Sequence, residues 1–342
     1  MNFCAAKAPI AGAHDGGRAI FYQRAMIETD PAATARFSAD LERLDADPRG
    51  RIGIAVSGGP DSLALLLLAQ AAGRGRVHAA TVDHGLRAES GGEAAMVAEV
   101  CARLGVPHTI LEAQMTDAAN IQAAARARRY ALLGEWAEGA GLACILTAHH
   151  LDDQAETLMM RLLRGSGLAG LAGIRAVQPS PVPVLRPLLG WRHAELAAIV
   201  EAAGLEPVED PSNADERFDR ARLRRRLAEA GWIDPVPLAR SAAALAEAEE
   251  ALAWAAQRLW TERVTAEDEG FSLDPAGLPD ELRRRLVLAV LTAIGGSVPR
   301  GAEVMRLIAT LEAGGTATLA GAKCSGGERW RFVPAPPRRA PL

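Results

Sequence analysis

The chain has 342 residues, about half of them apolar and 23% charged. That suffices for two ordinary domains with sizeable cores and excludes wholesale disorder. Its 33 glycines follow no collagen-like repeat, and its four cysteines, Cys4, Cys101, Cys144 and Cys324, form neither a CxxC pair nor a zinc-ligand spacing. They read as free thiols of a protein in the reducing cytoplasm. The net charge of −4 means that any nucleic-acid partner must be held by a local basic patch.

The longest apolar runs, Leu63–Ala69 and Leu286–Ile294, fall short of the roughly 18–20 residues that a membrane span needs, so no membrane partner is expected. Residues 1–25 lack the order of a signal peptide, and residues 1–50 read as a partly flexible N-terminal extension. From Arg51 the pattern becomes that of an α/β domain. Arg51–Val56 is a short β-branched strand, followed by a Gly-Gly turn and an apolar helix. His78–Val82 and Pro107–Leu111 read as further strands, with a helix between them over about 93–104. Ile121–Ala140 reads as a long helix and Ala143–Leu146 as a fourth strand, leading into a polar loop and another helix. Strands and helices alternating at this spacing predict a doubly wound parallel sheet with helices on both faces.

Prolines between Gln178 and Pro187 suggest an irregular connection, His193–Ala203 a helix, and Leu205–Val208 a short extended piece. The run IDPVPL after Trp232 reads as a linker. The expected division is therefore an α/β catalytic domain over 51–232 and a smaller, mainly helical domain over 233–342 with a frayed Pro/Arg tail.

The sharpest signal is Ser57-Gly58-Gly59-Pro60-Asp61-Ser62, between the first strand and its helix. Two glycines let backbone approach an anion closely, and N–H groups at a helix start point at phosphate oxygens. Ser57 and Ser62 add hydroxyls. A carboxylate at Asp61 would repel phosphate without an intervening cation, so Asp61 is assigned to Mg²⁺. No Walker lysine is present, so the loop suits a pyrophosphate that leaves rather than a γ-phosphoryl group that is transferred. A second string, Gly165–Gly170, formally matches GxGxxG but follows a helix instead of a strand, and it is set aside as a nucleotide site.

Two further polar clusters leave strand ends. Val82-Asp83-His84-Gly85-Leu86-Arg87 follows the second strand, where a binding role for Asp83 and His84 and a plain capped turn are equally compatible with the pattern. His149-His150-Leu151-Asp152-Asp153-Gln154-Ala155-Glu156-Thr157 follows the fourth. With a helix starting near Asp152, Asp153 and Glu156 share a face, and the group either binds Mg²⁺ or steers an amine; plain helix capping accounts for fewer acids than are present. Basic residues gather at Arg126, Arg128 and Arg129 beside Tyr130, and in the run Arg217, Arg220, Arg222, Arg224, Arg225 and Arg226. Each group is either a phosphate-binding face or a solvated helix flank.

Taken in order, SGGPDS, VDHGLR, ARARRY, HHLDDQAET, RLLRGSGLAGL, RPLL and EDPSN (Glu209–Asn213) resemble the tRNA(Ile)-lysidine synthetase family of the PP-loop ATP pyrophosphatase superfamily. The resemblance spans about Arg51–Leu227. It departs at Ala221, where the family usually has Asn. It implies ATP-dependent adenylation of C2 of the wobble cytidine of an isoleucine tRNA with a CAU anticodon, then attack by the amine of free L-lysine. By motif position, Ser57, Gly58, Gly59, Pro60, Asp61, Ser62, Asp83 and His84 would bind ATP. Asp61 would hold Mg²⁺, and Arg129, His149, Asp153 and Glu156 would serve the cytosine and lysine chemistry. Arg126, Arg220, Arg222 and Arg224 would contact RNA, and a homodimer is compatible with this reading. A superfamily thiolase fits less well, because sulfur relay normally uses paired cysteines or an iron–sulfur cluster. A non-enzymatic nucleotide-binding module leaves HHLDDQAET and the arginines idle.

Overall fold

A computed structural model describes residues 29–44, 50–73, 76–83, 90–113, 121–208, 219–295 and 297–336. The chain divides into two compact units, one of Met1–Ala148 with Val177–Asp210, the other of His149–Ala176 with Pro211–Leu342.

The first unit is built on a six-stranded sheet in the order β3-β2-β1-β4-β6-β5. These strands are β1 (Ile52–Ala55), β2 (Val77–Asp83), β3 (His108–Glu112), β4 (Cys144–Leu146), β5 (Val177–Gln178) and β6 (Val184–Leu185). All neighbours are parallel except the edge pair β5–β6. Strand periodicity sorts the side chains between two cores. Ile52, Ile54, Val77, Ala79, Cys144 and Leu146 face one, with the buried leucines of α2 (Pro60–Gly73). Ala80 and Ile145 face the other, with Leu133 and Ala137 of α4 (Ile121–Gly139). Gly53 belongs to this second face because a Cβ there would stand 2.8 Å from Leu142 and 2.9 Å from the Trp136 ring. The doubly wound parallel sheet predicted from alternation is therefore present.

Three helices complete the first core: α1 (Pro31–Arg43), α3 (Ser90–Leu104) and α7 (His193–Ala202). Helix α1 starts at an Asp30 cap, whose carboxylate accepts from Ala32 and Ala33 N–H, and it buries Phe37 completely. The proline-interrupted stretch after Gln178 is not wholly irregular: β6 extends the parallel sheet beside β4, through two residues that are too few to show a period. Leu205–Val208 forms no strand, although the Val208 N–H donates to the Gly58 carbonyl at 2.9 Å.

In the second unit, α5 (Leu151–Leu163), α6 (Leu168–Leu171) and α8 (Asp219–Ala230) precede the long α9 (Pro235–Arg263). The run expected as a linker is instead the start of α9. Asp234 caps it by accepting from Val236 N–H at 2.9 Å, and Pro235 occupies the first turn, where a missing N–H costs nothing. Helices α10 (Asp280–Gly295) and α11 (Gly301–Glu312) pack on a five-stranded antiparallel sheet, β7-β8-β11-β10-β9. Its strands are β7 (Val264–Glu267), β8 (Gly270–Leu273), β9 (Thr316–Leu319), β10 (Ala322–Ser325) and β11 (Trp330–Pro334). Sequence reading expected helices here and did not foresee this sheet. Between α9 and α10, the buried Glu249 takes two hydrogen bonds from Arg285, at 2.9 and 2.5 Å, which leaves neither buried charge uncompensated. No helix among the described residues is long and apolar enough to cross a membrane.

Candidate functional site

The glycine loop joins the carboxyl end of β1 to α2. Gly58 has φ +89°, a backbone region closed to other residues, and a Cβ there would meet Val208 at 3.2 Å and Met96 at 3.3 Å. Gly59 then opens the helix, its carbonyl accepting from Leu63 N–H at 3.1 Å. The buried Ser62 closes the loop on itself. Its hydroxyl donates to the Gly59 carbonyl at 2.9 Å and accepts from the Ser57 N–H at 3.1 Å and the Ser57 hydroxyl at 3.2 Å. With its one hydrogen so used, Ser62 acts as a staple. Pro60, the first residue of α2, has no N–H, so the helix start offers the N–H groups of Asp61 and Ser62, which by geometry lack acceptors within their helix, and Ser57 is exposed.

Asp61 sits in the first turn of α2, partly exposed, with Oδ1 2.8 Å from Nδ1 of His193 at the start of α7. Asp83 ends β2, its carbonyl accepting from Ala113 N–H at 2.7 Å. His84, Arg87 and the segment Glu209–Asn213 lie outside the described residues.

A second feature of the first unit is a crowd of guanidinium groups around the Tyr130 phenol on α4. Arg126 lies over the ring at 5.1 Å and Arg129 at 5.5 Å. The almost fully buried Arg186 donates to the phenol oxygen at 3.4 Å and to Gln178 Oε1 at 2.8 Å. Burial works to raise the Tyr130 pKa, but the Arg186 hydrogen bond and the three positive charges outweigh it and hold the phenol below its usual value. Burial likewise pulls the Arg129 guanidinium below its usual value. Arg128 points away from this group, toward Glu135 at 3.7 Å.

In the second unit, α5 begins at Leu151 rather than Asp152, with His150 as its cap residue. Asp153 Oδ2 accepts from the His150 N–H at 3.1 Å, so this carboxylate also caps the helix. Its Oδ1 accepts from Arg220 at 2.5 Å. One turn on, Glu156 accepts from Arg220 Nε at 2.8 Å, Arg224 Nε at 2.6 Å and Arg224 Nη2 at 3.1 Å. Both carboxylates are buried, while Arg220 and Arg224 keep 39% and 46% of their side chains exposed. Burial pushes the Glu156 carboxyl up, but the two arginines outweigh it and hold it below the usual carboxylate range. The knot thus joins two anions to two cations that still present donors to solvent. Arg222 turns aside to Asp219, which also pairs with Arg164 at 2.7 Å. His149, half-buried, precedes the cap. Gly165 follows the end of α5 with φ +66°, so the GxGxxG string is a helix stop.

Sequence reasoning did not single out His193 or assign a role to Arg186. Their partners lie 132 and 56 residues away, respectively, beyond any local spacing rule.

The family model for a PP-loop domain matches residues 33–230. The chain is 50% identical over 320 residues to the tRNA(Ile)-lysidine synthase of Novosphingobium aromaticivorans, covering 92% of this chain and 97% of that one. It is 46% identical to the tRNA(Ile)-lysidine synthase of Zymomonas mobilis, with 86% and 92% covered. Among solved structures it is similar in fold to the U34-tRNA thiolase NcsA from Methanococcus maripaludis, at a TM-score of 0.53 and 18% identity over 63% of this chain and 79% of that one.

Proposed function

Since the chain belongs to the tRNA(Ile)-lysidine synthase family, we propose which of its residues carry the two halves of that carbon–nitrogen ligation. ATP adenylates the C2 carbonyl oxygen of a cytidine and pyrophosphate leaves; the lysine ε-amine then attacks C2 and AMP leaves. The target is the wobble cytidine of a CAU anticodon, the amine donor is free L-lysine, and the compartment is the cytoplasm.

The observation that carries the first half is Gly58 at φ +89° ahead of the α2 start. The backbone there cradles the β- and γ-phosphates as they depart together. Asp61 offers one hard, partly exposed carboxylate, an oxygen donor that would suit a Mg²⁺ ion. Bound there, Mg²⁺ would offset the charge that develops on pyrophosphate. Asp83, at the carboxyl end of β2, and His84 serve the same nucleotide.

In the second half, lysine arrives as an ammonium with a pKa of about 10.4 and must lose a proton before it attacks. Glu156 is a poor proton acceptor, because Arg220 and Arg224 stabilise its charged form. Asp153 and Glu156 instead orient those two arginines and lend the site negative potential for the ammonium, while His149 takes the proton. The exposed donors of Arg220 and Arg224, together with Arg222, Arg126 and Arg129, meet RNA and the activated phosphate.

Among the described residues, the thiols lend a thiolase reading no support. Cys101, Cys144 and Cys324 are buried in the cores, and burial pushes the Cys101 thiol up to about 12. The test is incubation with ATP, the isoleucine tRNA and radiolabelled lysine, alongside ATP–pyrophosphate exchange by Asp61→Asn. Label in the RNA, and exchange lost in a folded variant, support the assignment; unlabelled RNA or retained exchange overturns it.

A further inference from the structure

We propose that His193 is a positioning residue that holds the Asp61 carboxylate in the orientation needed for the metal-bound nucleotide. The inference rests on the reading of Asp61 as the Mg²⁺ ligand and extends it to a residue that no motif singled out.

The contact is Nδ1 of His193 to Oδ1 of Asp61 at 2.8 Å. A carboxylate only accepts, so Nδ1 carries the hydrogen, whatever the state of the other ring nitrogen. One oxygen of Asp61 is thereby engaged, and the rotation that would swing the group away from the loop is opposed.

His193 is itself well anchored. It is the first residue of α7, and the Glu195 carboxylate accepts from the Arg192 N–H at 2.7 Å, fixing that helix start. Arg36 on α1 reaches the same place: it donates to Glu195 at 2.8 Å and to the Gly190 carbonyl at 2.7 Å, and its guanidinium lies 3.9 Å from the centre of the Trp191 ring. The Trp191 indole N–H donates to Asp40 on α1 at 2.8 Å, and the ring is buried. Helix α1 therefore holds Gly190 and Trp191, shortly before His193, and the capping carboxylate of Glu195, two residues after it. Helix α1 is itself held on the core by Phe37, with Ala33, Leu41 and Leu44 packed beside it. The backbone that carries the imidazole is thereby tied to α1.

Partners that orient a metal ligand typically change metal affinity by about 10–100-fold when removed. The test is calorimetric titration of ATP into the full-length protein over a series of Mg²⁺ concentrations, with thermal unfolding measured in parallel. His193→Ala should raise the Mg²⁺ concentration that half-saturates ATP binding by about tenfold or more, with an unchanged melting temperature. His193→Asn, whose amide offers a donor near the position of Nδ1, should restore most of that loss. A His193→Ala profile equal to wild type, while Asp61→Asn loses Mg²⁺ dependence, overturns the positioning role and leaves the metal reading intact. An unchanged profile in Asp61→Asn overturns both.

Discussion

Arg224 Nε lies 2.6 Å from Glu156 Oε1, and Arg220 Nε lies 2.8 Å from the other oxygen of the same carboxylate. Two guanidinium groups on α8 thus converge on one buried acid of α5. The acid's charge is compensated, while the arginines retain exposed edges. Anchored guanidinium groups lose less rotamer freedom when they engage a ligand phosphate than free ones do.

Glu156→Gln removes the charged acceptor that both arginines share, while Arg220 keeps its bond to Asp153 at 2.5 Å. Hydrogen bonds to charged groups contribute about 1.5–3 kcal/mol each, and partial exposure of Arg220 and Arg224 screens the effect toward the lower figure. Urea unfolding should show a loss of that size, with a larger loss in lysine transfer than in ATP–pyrophosphate exchange. Equal loss in both reactions would contradict a role in the second half-reaction.

The pH dependence follows from the lowered Glu156 pKa. A carboxyl whose folded value lies below its unfolded value contributes stability that is fully present above the unfolded pKa of about 4.3. That stability is lost as pH falls through the folded value. The stability gap between wild type and Glu156→Gln should therefore stay constant from neutral pH down to about 5, and close below the unfolded pKa. Denaturation curves across that range check it; a gap that widens on acidification would reverse the sign.

Gly58→Ala places a Cβ at φ +89°, 3.2 Å from Val208 and 3.3 Å from Met96. Such a conformation costs a non-glycine residue roughly 1–3 kcal/mol. The loop should distort, so ATP affinity should fall more than global stability does. Calorimetric ATP binding and thermal unfolding on the same variant separate the two, and undiminished ATP binding would contradict the cradle.

Around Tyr130, charge and positioning come apart. Tyr130→Phe removes the acceptor for Arg186 and Arg126 without changing the number of cations. It should weaken tRNA binding while leaving the salt dependence of binding unchanged. Arg126→Ala should lower the slope of log affinity against log salt by about one, as loss of one phosphate contact does. A Tyr130→Phe slope that falls equally would mean that the phenol does not act through the arginines.

The parallel sheet of the first unit was legible in sequence where its signals are local. Ile52 and Ile54 alternate with Gly53 and Ala55, and Gly58-Gly59 breaks the pattern between strand and helix. What escaped sequence reading depends on distant partners or on very short elements. His193 meets Asp61 across 132 residues, and Arg224 meets Glu156 across 68. Pro235 looked like a linker residue because a proline at a helix start and one in a loop share the same neighbours. Strands β7–β10 hold one valine and no isoleucine, so they lack the apolar β-branched run that marks β1, and α10 and α11 pack over Phe332 and Trp330 of the same sheet.

The nucleotide's outer phosphates should seat on the backbone opened by Gly58 and Gly59. A crystal structure with a non-hydrolysable ATP analogue and Mg²⁺ decides the matter. The expected density places the β- and γ-phosphates against the N–H groups at the start of α2, with the metal beside Asp61. Analogue density elsewhere in the protein, with that loop empty, would contradict it.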